Sequence, residues 1–424
     1  MGDLLLQNKT PSRILSATAL LTFLCVAIFA QAGDKYTVLR TFNTSAGGVL
    51  PAGELLMDSA GNLYGTDTQG GHNNGGTIFE LIPNGQGGFT YKELYECSQT
   101  FDCTLPVGSL VMDTAGNLYG SSLFGHIFEI SKTSSGSWTA SVLYDFGAEI
   151  APPSSVILDA AGNLYGINPT GGVSNLGYVF ELSPSQGGWS LTHLHDFHGS
   201  DGAATTGNTE NQVGGLILDS LGNLYGATVA GGTSKNCTGG CGVVFELSNN
   251  SGKWTETVLR SLSGSDGANP IAPLLMDANG DLYGTASNGG ARGFGSVFKT
   301  SRASGAWQTQ VLHSFTGVHL DGEFPDSALV LDPSGNIYGT TEAGGADLKS
   351  CQVWNDNGCG MVFELSPNGA QWKESILKAF SGGTDGAFPQ GVVLDGKGNL
   401  FGAAQAGGRL FEGLVFEISP AGAQ

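Results

Sequence analysis

Positive charge is scarce in this chain. Lysine and arginine number 17 among 424 residues, against 37 aspartates and glutamates, for a net charge of −20. That balance leaves no cationic face for a phosphate backbone, so nucleic-acid binding is excluded as a function class. Charged residues of both signs reach only 13%, about half the usual share. Helical periodicity is missing throughout: beyond the first 32 residues no stretch repeats its apolar positions at i, i+3 and i+4. Catalytic signatures are missing too. The chain has no Gly-x-Ser-x-Gly, no His-Glu-x-x-His, and no acid pair that stands apart from a repeat. With 9% aromatics and 40% hydrophobic residues the chain has a core to build, which excludes disorder. Glycine is what it has in excess, 69 residues, and without a Gly-X-Y period these do not make collagen.

The first 32 residues are expected to be a secretory signal peptide. Lys9 and Arg13 precede an apolar run from Ile14 to Ala30, and Ala30-Gln31-Ala32 offers small residues at a cleavage site. The run is 17 residues long, at the short end for a membrane span. No second apolar span and no C-terminal anchor follow, so residues 33–424 are expected to form one exported domain without a membrane span. Six cysteines remain, as the close pairs Cys97 with Cys103, Cys237 with Cys241, and Cys351 with Cys359. In an oxidising compartment these read as local disulfides, each contributing about 2 kcal/mol on the chain-entropy account. Zinc is the rival, but no pair has a histidine beside it.

One phrase, Asp-x-x-Gly-Asn-Leu-Tyr-Gly, recurs from Asp58, Asp113, Asp159, Asp219, Asp277, Asp332 and Asp395, with Asp281, Ile337 and Phe401 as its variants. The mean step is about 56 residues, the scale of a four-stranded propeller blade. Each unit reads as four strands. Strand A is an apolar run ending at the Asp. A tight Asp-x-x-Gly-Asn turn follows, then strand B, Asn-Leu-Tyr-Gly-Thr. A loop with a Gly-Gly pair leads to strand C, such as Val243 to Leu247, and a turn leads to strand D. Strand D opens on an aromatic residue, Phe89, Trp138, Trp189, Trp254, Trp307 or Trp372. Seven units predict an all-β, seven-bladed β-propeller. The last repeat lacks strand D, while an unattached copy, Tyr36 to Phe42, stands at the start. The N-terminal strand is therefore expected to complete the last blade and close the ring.

These units, together with Phe-x-Gly-x-Asp-Gly-Ala-x-Pro between them (clearest at Leu262–Pro270 and Phe380–Pro389), resemble the GloVer-type tandem repeat of exported bacterial proteins. The resemblance spans Tyr36 to Pro420. It implies an extracellular or surface repeat protein and brings no activity or catalytic residues with it.

The irregular parts of the repeat fall in the B–C loops and D–A connections, which share one propeller face. A ligand-binding surface is expected there over blades 4 to 6: Trp354 and Asp356 inside the Cys351–Cys359 loop, Arg292 in the blade 5 loop, and Asp201 and Glu210 in the longest D–A connection. The Asp-Gly copies Asp201, Asp266, Asp321 and Asp385 admit calcium, though Asx turns account for them and no cofactor is otherwise expected. His193, His195 and His313 read as solvated edge residues, and the tryptophans as packing between blades. His72, His126, His198 and His319 lie near unusual loops with no partner that marks a base or nucleophile. The expected function is that of an exported, monomeric, non-catalytic scaffold for glycan, cell-envelope material or a protein. The alternative is a propeller lyase or hydrolase on a polysaccharide or lactone. A deep acid-lined pocket at the channel mouth favours the enzyme, and a shallow aromatic surface favours the binder.

Overall fold

A computed structural model describes residues 34–43, 47–99, 102–147, 155–204, 214–317, 321–345, 351 and 358–420. The expected signal segment lies outside them. The described residues form seven antiparallel four-stranded sheets, and a two-stranded pair sits beside the sixth. Six sheets run A-B-C-D in sequence order. The seventh has the order Lys35–Thr41, Leu414–Ser419, Leu400–Ala406, Ala387–Leu394, so the N-terminal strand supplies the outer edge of the last blade. Val38 pairs with Phe416, and a bulge then brings Arg40 opposite Val415. The protein is a closed seven-bladed β-propeller.

The repeated phrase builds the same turn in each blade. In blade 1, Asp58 Oδ1 accepts the backbone N–H groups of Ala60 and Asn62, both at 2.9 Å, while Oδ2 accepts Asn62 Nδ2 and the Tyr64 hydroxyl. Four donors on one carboxylate hold it ionised, below its usual pKa, even though partial burial opposes this. Blade 5 shows the rule by its exception. Asp281 replaces the donating Asn, and Lys299 then stands where strand C elsewhere carries Glu, pairing with Asp281 at 2.6 Å.

The glycine of Leu-Tyr-Gly is steric. A Cβ on Gly226 would sit 2.7 Å from Phe245 Cζ and 2.8 Å from Leu216 Cδ2, and the equivalent glycine of every blade meets the strand C phenylalanine in the same way. Those phenylalanines are fully buried. The apolar core lies in the seams between blades. One such cluster joins Tyr165 of blade 3 to Leu216, Leu224, Phe245 and Leu247 of blade 4, with Trp254 packed against it. The five strand D tryptophans pack against the core clusters, as expected.

Among the described residues, five seams also carry a polar socket, in which the strand D residue that follows the repeated Leu meets the Asp of the D–A connection. Arg260 holds Asp266 at 2.6 Å. Lys378 holds Asp385 at 2.6 Å and lies over Tyr36 of the clasp strand. Arg40 lies 4.0 Å over the ring of Tyr91. His195 meets Asp201 at 3.1 Å, and His313 meets Asp321 at 3.5 Å and Glu374 at 3.6 Å. This corrects the expectation for two histidines. The side chains of His195 and His313 are only about a fifth exposed and serve as seam ion-pair partners rather than solvated edge groups. His193, 40% exposed and stacked on Tyr178, fits the original reading better.

Candidate functional site

The innermost strands bring one residue from each blade to the same level of the channel, four positions before the turn Asp. Six of these are small or compact: Ser109, Ser155, Gly215, Pro273, Ala328 and Gly391. The seventh is Glu54. Its side chain crosses the channel from blade 1 to blade 6, where the Ala328 N–H donates to Oε1 at 2.6 Å. A Cβ on Gly391 would collide with the Glu54 side chain at 2.5 Å, so the missing side chain makes room for the acid. Around the same ring, Glu54 N–H donates to Ser109 Oγ and Ser109 N–H to Ser155 Oγ, at 3.1 and 2.9 Å.

Two positions deeper in each repeat, six before the turn Asp, blades 1, 2, 5 and 7 carry Ala52, Val107, Ile271 and Pro389, whereas blade 6 carries Asp326. Asp326 Oδ1 is sealed from solvent and has no hydrogen-bond partner. Glu54 and Asp326 line one axial cavity of about 140 Å³ with Ser109, Ser155, Ser327 and Gln390. Both residues are partly buried, and both line the cavity. Burial raises the pKa of Glu54 to about 7, against the lowering effect of the Ala328 N–H. Burial, then Glu342, then Glu54 raise Asp326 well above its usual value. No cation contributes to either group. Among the described residues this is an acid pair without a countercharge, and partial removal from water favours uptake of protons or a cation by such a pair.

This pair overturns the expectation that no acid pair stands apart from the repeat. The signal was present in the sequence: aligned on the turn Asp, Glu54 falls where the other copies have Ser, Ser, Gly, Pro, Ala and Gly. A single departing copy stands out only against the aligned seven, not within its own unit.

The residues expected to bind ligand are not brought together here. Trp354, Asp356 and Glu210 lie outside the described residues. Arg292 is exposed in the blade 5 loop. Asp201 is held inside its own turn, where Oδ1 accepts the His198 N–H at 2.7 Å and Oδ2 meets His195. Asp266 and Asp385 likewise accept groups of their own turns, from Ser263 and Ser381. Each of these carboxylates thus has at least one oxygen engaged within its own turn. The shared face is real: Ala203 of a D–A connection pairs with Ala230 of the next B–C loop. That face exposes Leu410, Phe411 and Val173, on blades 7 and 3 rather than 4 to 6. A wider groove of about 960 Å³ on the opposite face, between blades 1 and 7, is lined by repeated turn residues such as Asp58 and Asp395, whose carboxylates already serve their own turns. All three expected disulfides form, Cys97–Cys103, Cys237–Cys241 and Cys351–Cys359. Among the described residues no helix is long and apolar enough to cross a membrane.

The sequence profile of the Gloeobacter/Verrucomicrobia repeat matches residues 212–424, and no curated protein matches the chain. Solved structures share the fold at low identity. PorZ, a surface component of the type-IX secretion system of Porphyromonas gingivalis, aligns at TM-score 0.51 and 14% identity over 90% of this chain, which spans about half (48%) of PorZ. A calcium-binding regucalcin from Agrobacterium tumefaciens aligns at TM-score 0.44 and 13% identity, over 82% of this chain and 96% of that one. A gluconolactonase from Xanthomonas campestris aligns at 0.42 and 13%, over 72% and 86%. These likenesses concern the fold alone.

Proposed function

The chain belongs to the Gloeobacter/Verrucomicrobia repeat family, and on that premise we propose that it is an exported binding propeller that holds a hard divalent cation of the calcium class in its axial channel. The loop face, stiffened by three disulfides, meets a glycan or protein at the cell surface. One observation carries the reading: Glu54 and Asp326 share a cavity without a countercharge. The cavity side chains that could ligate a cation offer oxygen: two carboxylates, the Gln390 amide and three serine hydroxyls. Oxygen-only sets suit calcium or magnesium rather than zinc. About 140 Å³ holds a cation with a few waters, and is well below the roughly 300 Å³ at which small-molecule pockets begin.

The test is calorimetric titration of calcium into chelator-treated protein. One equivalent should bind, more tightly as pH rises through 7, because the Glu54 carboxyl must release its proton to ligate. Glu54→Gln and Asp326→Asn should each abolish the heat. Unchanged binding in both variants removes the channel from consideration.

A second reading rests on the Glu54 pKa of about 7, which suits a general acid. On this reading the channel mouth acts on the end of a polysaccharide or on a lactone. Turnover of such substrates that disappears in Glu54→Gln, without calcium binding, would favour the enzyme.

A further inference from the structure

The seam between blades 3 and 4 differs from the others in its donors. His195 closes strand D of blade 3 (Gly188–Asp196), and His198 and Asp201 follow in the D–A connection. Glu256 lies on strand D of blade 4 (Lys253–Ser261). His195 Nε2 lies 3.1 Å and His198 Nδ1 3.3 Å from the same oxygen, Asp201 Oδ2. The three donor atoms all fall within 4.8 Å of one another. The other Asp201 oxygen is turned away by the His198 N–H, which leaves Oδ2 for the two rings. Glu256 Oε1 is buried and has no hydrogen-bond partner. Its carboxyl is near enough to Asp201 for their charges to repel, and burial together with that repulsion raises its pKa to about 7. Among the described residues no lysine or arginine is paired with either carboxyl.

We propose that His195, His198 and Asp201 form a metal site of the zinc class at the seam between blades 3 and 4, with the Glu256 carboxylate of blade 4 nearby. Two imidazoles with a carboxylate are zinc ligands in type and supply three of its four positions, the pattern of sites whose fourth position is left to water or another ligand. Bonds of about 2.0 Å around a tetrahedral ion put neighbouring donors about 3.3 Å apart, and the two ring nitrogens lie 3.1 and 3.3 Å from Asp201 Oδ2. A dication held by two neutral rings and Asp201 would also offset the charge of the nearby Glu256, whose buried Oε1 has no hydrogen-bond partner. The His198 side chain is half exposed and leaves an entry path. The site lies at the root of the longest D–A connection, so the metal would set where that loop leaves the ring. It shares no residue with the axial cavity and stands whether or not the channel binds calcium.

The seam between blades 5 and 6 supplies an internal control. His313, Asp321 and Glu374 also cluster there, but with one histidine. The Asp321 oxygens are already taken by the Thr316 N–H and hydroxyl and by the Gly322 N–H.

The experiment is uptake of zinc by the chelator-treated protein in competition with a chromophoric chelator, with cobalt(II) as the spectroscopic substitute. One zinc equivalent is expected, and cobalt should give the visible absorption of a four-coordinate nitrogen and oxygen site. His198→Asn should weaken uptake by at least about tenfold, since loss even of an outer-shell partner costs that much. His313→Asn should leave it unchanged. Equal melting of metal-free His198→Asn and wild type confirms that the exposed substitution leaves the fold intact. No uptake by wild type, or equal uptake by His198→Asn, overturns the proposal and leaves the cluster a set of hydrogen bonds.

Discussion

Replacing Glu54 with Gln removes the acid from the channel and keeps its size and its acceptor for Ala328. In the native protein the Glu54 pKa stands near 7, against 4.5 for the unperturbed group. Between those values the folded chain holds a proton that the unfolded chain has released. Its stabilising share is complete below about pH 4.5 and is lost as pH rises to about 7. At about 1.4 kcal/mol per pH unit, the loss is about 3 kcal/mol, an upper bound because water in the channel screens the charge. Glu256 and Glu374 are raised to about 7 as well and add losses of the same sign, so the measured quantity is the difference between wild type and Glu54→Gln. Denaturant midpoints taken from pH 4.5 to 8 in chelator should diverge by an amount approaching 3 kcal/mol, with the variant the more stable at pH 8. Calcium at pH 8 should recover the loss in wild type only. Parallel curves would refute the reasoning, since they would mean that Glu54 ionises freely and the channel is no drier than the surface.

Two further outcomes concern the frame that holds the channel. Gly226→Ala should destabilise by about 1–3 kcal/mol through overpacking against Phe245, even though replacing a glycine outside the left-handed region gains about 0.4–1 kcal/mol by restricting the unfolded chain. Adding Phe245→Leu should recover part of the loss, and a denaturant double-mutant cycle without coupling would count against the steric account. Phe42→Ala empties a fully buried position in the cluster where the clasp strand joins blades 1 and 7. A loss of about 3–5 kcal/mol, with earlier proteolysis at the N-terminus than elsewhere, is the expected result, and late cleavage there would count against the clasp as the weak point of the ring.

The blade number, strand order and closure were all legible in the sequence, because each rests on local chemistry that repeats. Asp58 and its six counterparts satisfy the backbone of their own turn, Gly226 answers Phe245 within its own blade, and the shortage of one strand at the end matches the surplus strand at the start. The Cys pairs were legible for the same reason, since each partner lies within eight residues of the other. The channel site was not, although both of its acids could be seen. Glu54 and Asp326 are separated by five blades in the chain, and only ring closure brings both to one cavity, where burial raises the pKa of each. The seam histidines follow the same logic. His195 looked like an edge residue because an outer strand alone has an open side, and the next blade, bringing Glu256, covers that side. Local sequence determined each blade, and the arrangement of blades about an axis decided which side chains meet, because both burial and charge proximity belong to the closed ring and to no single repeat.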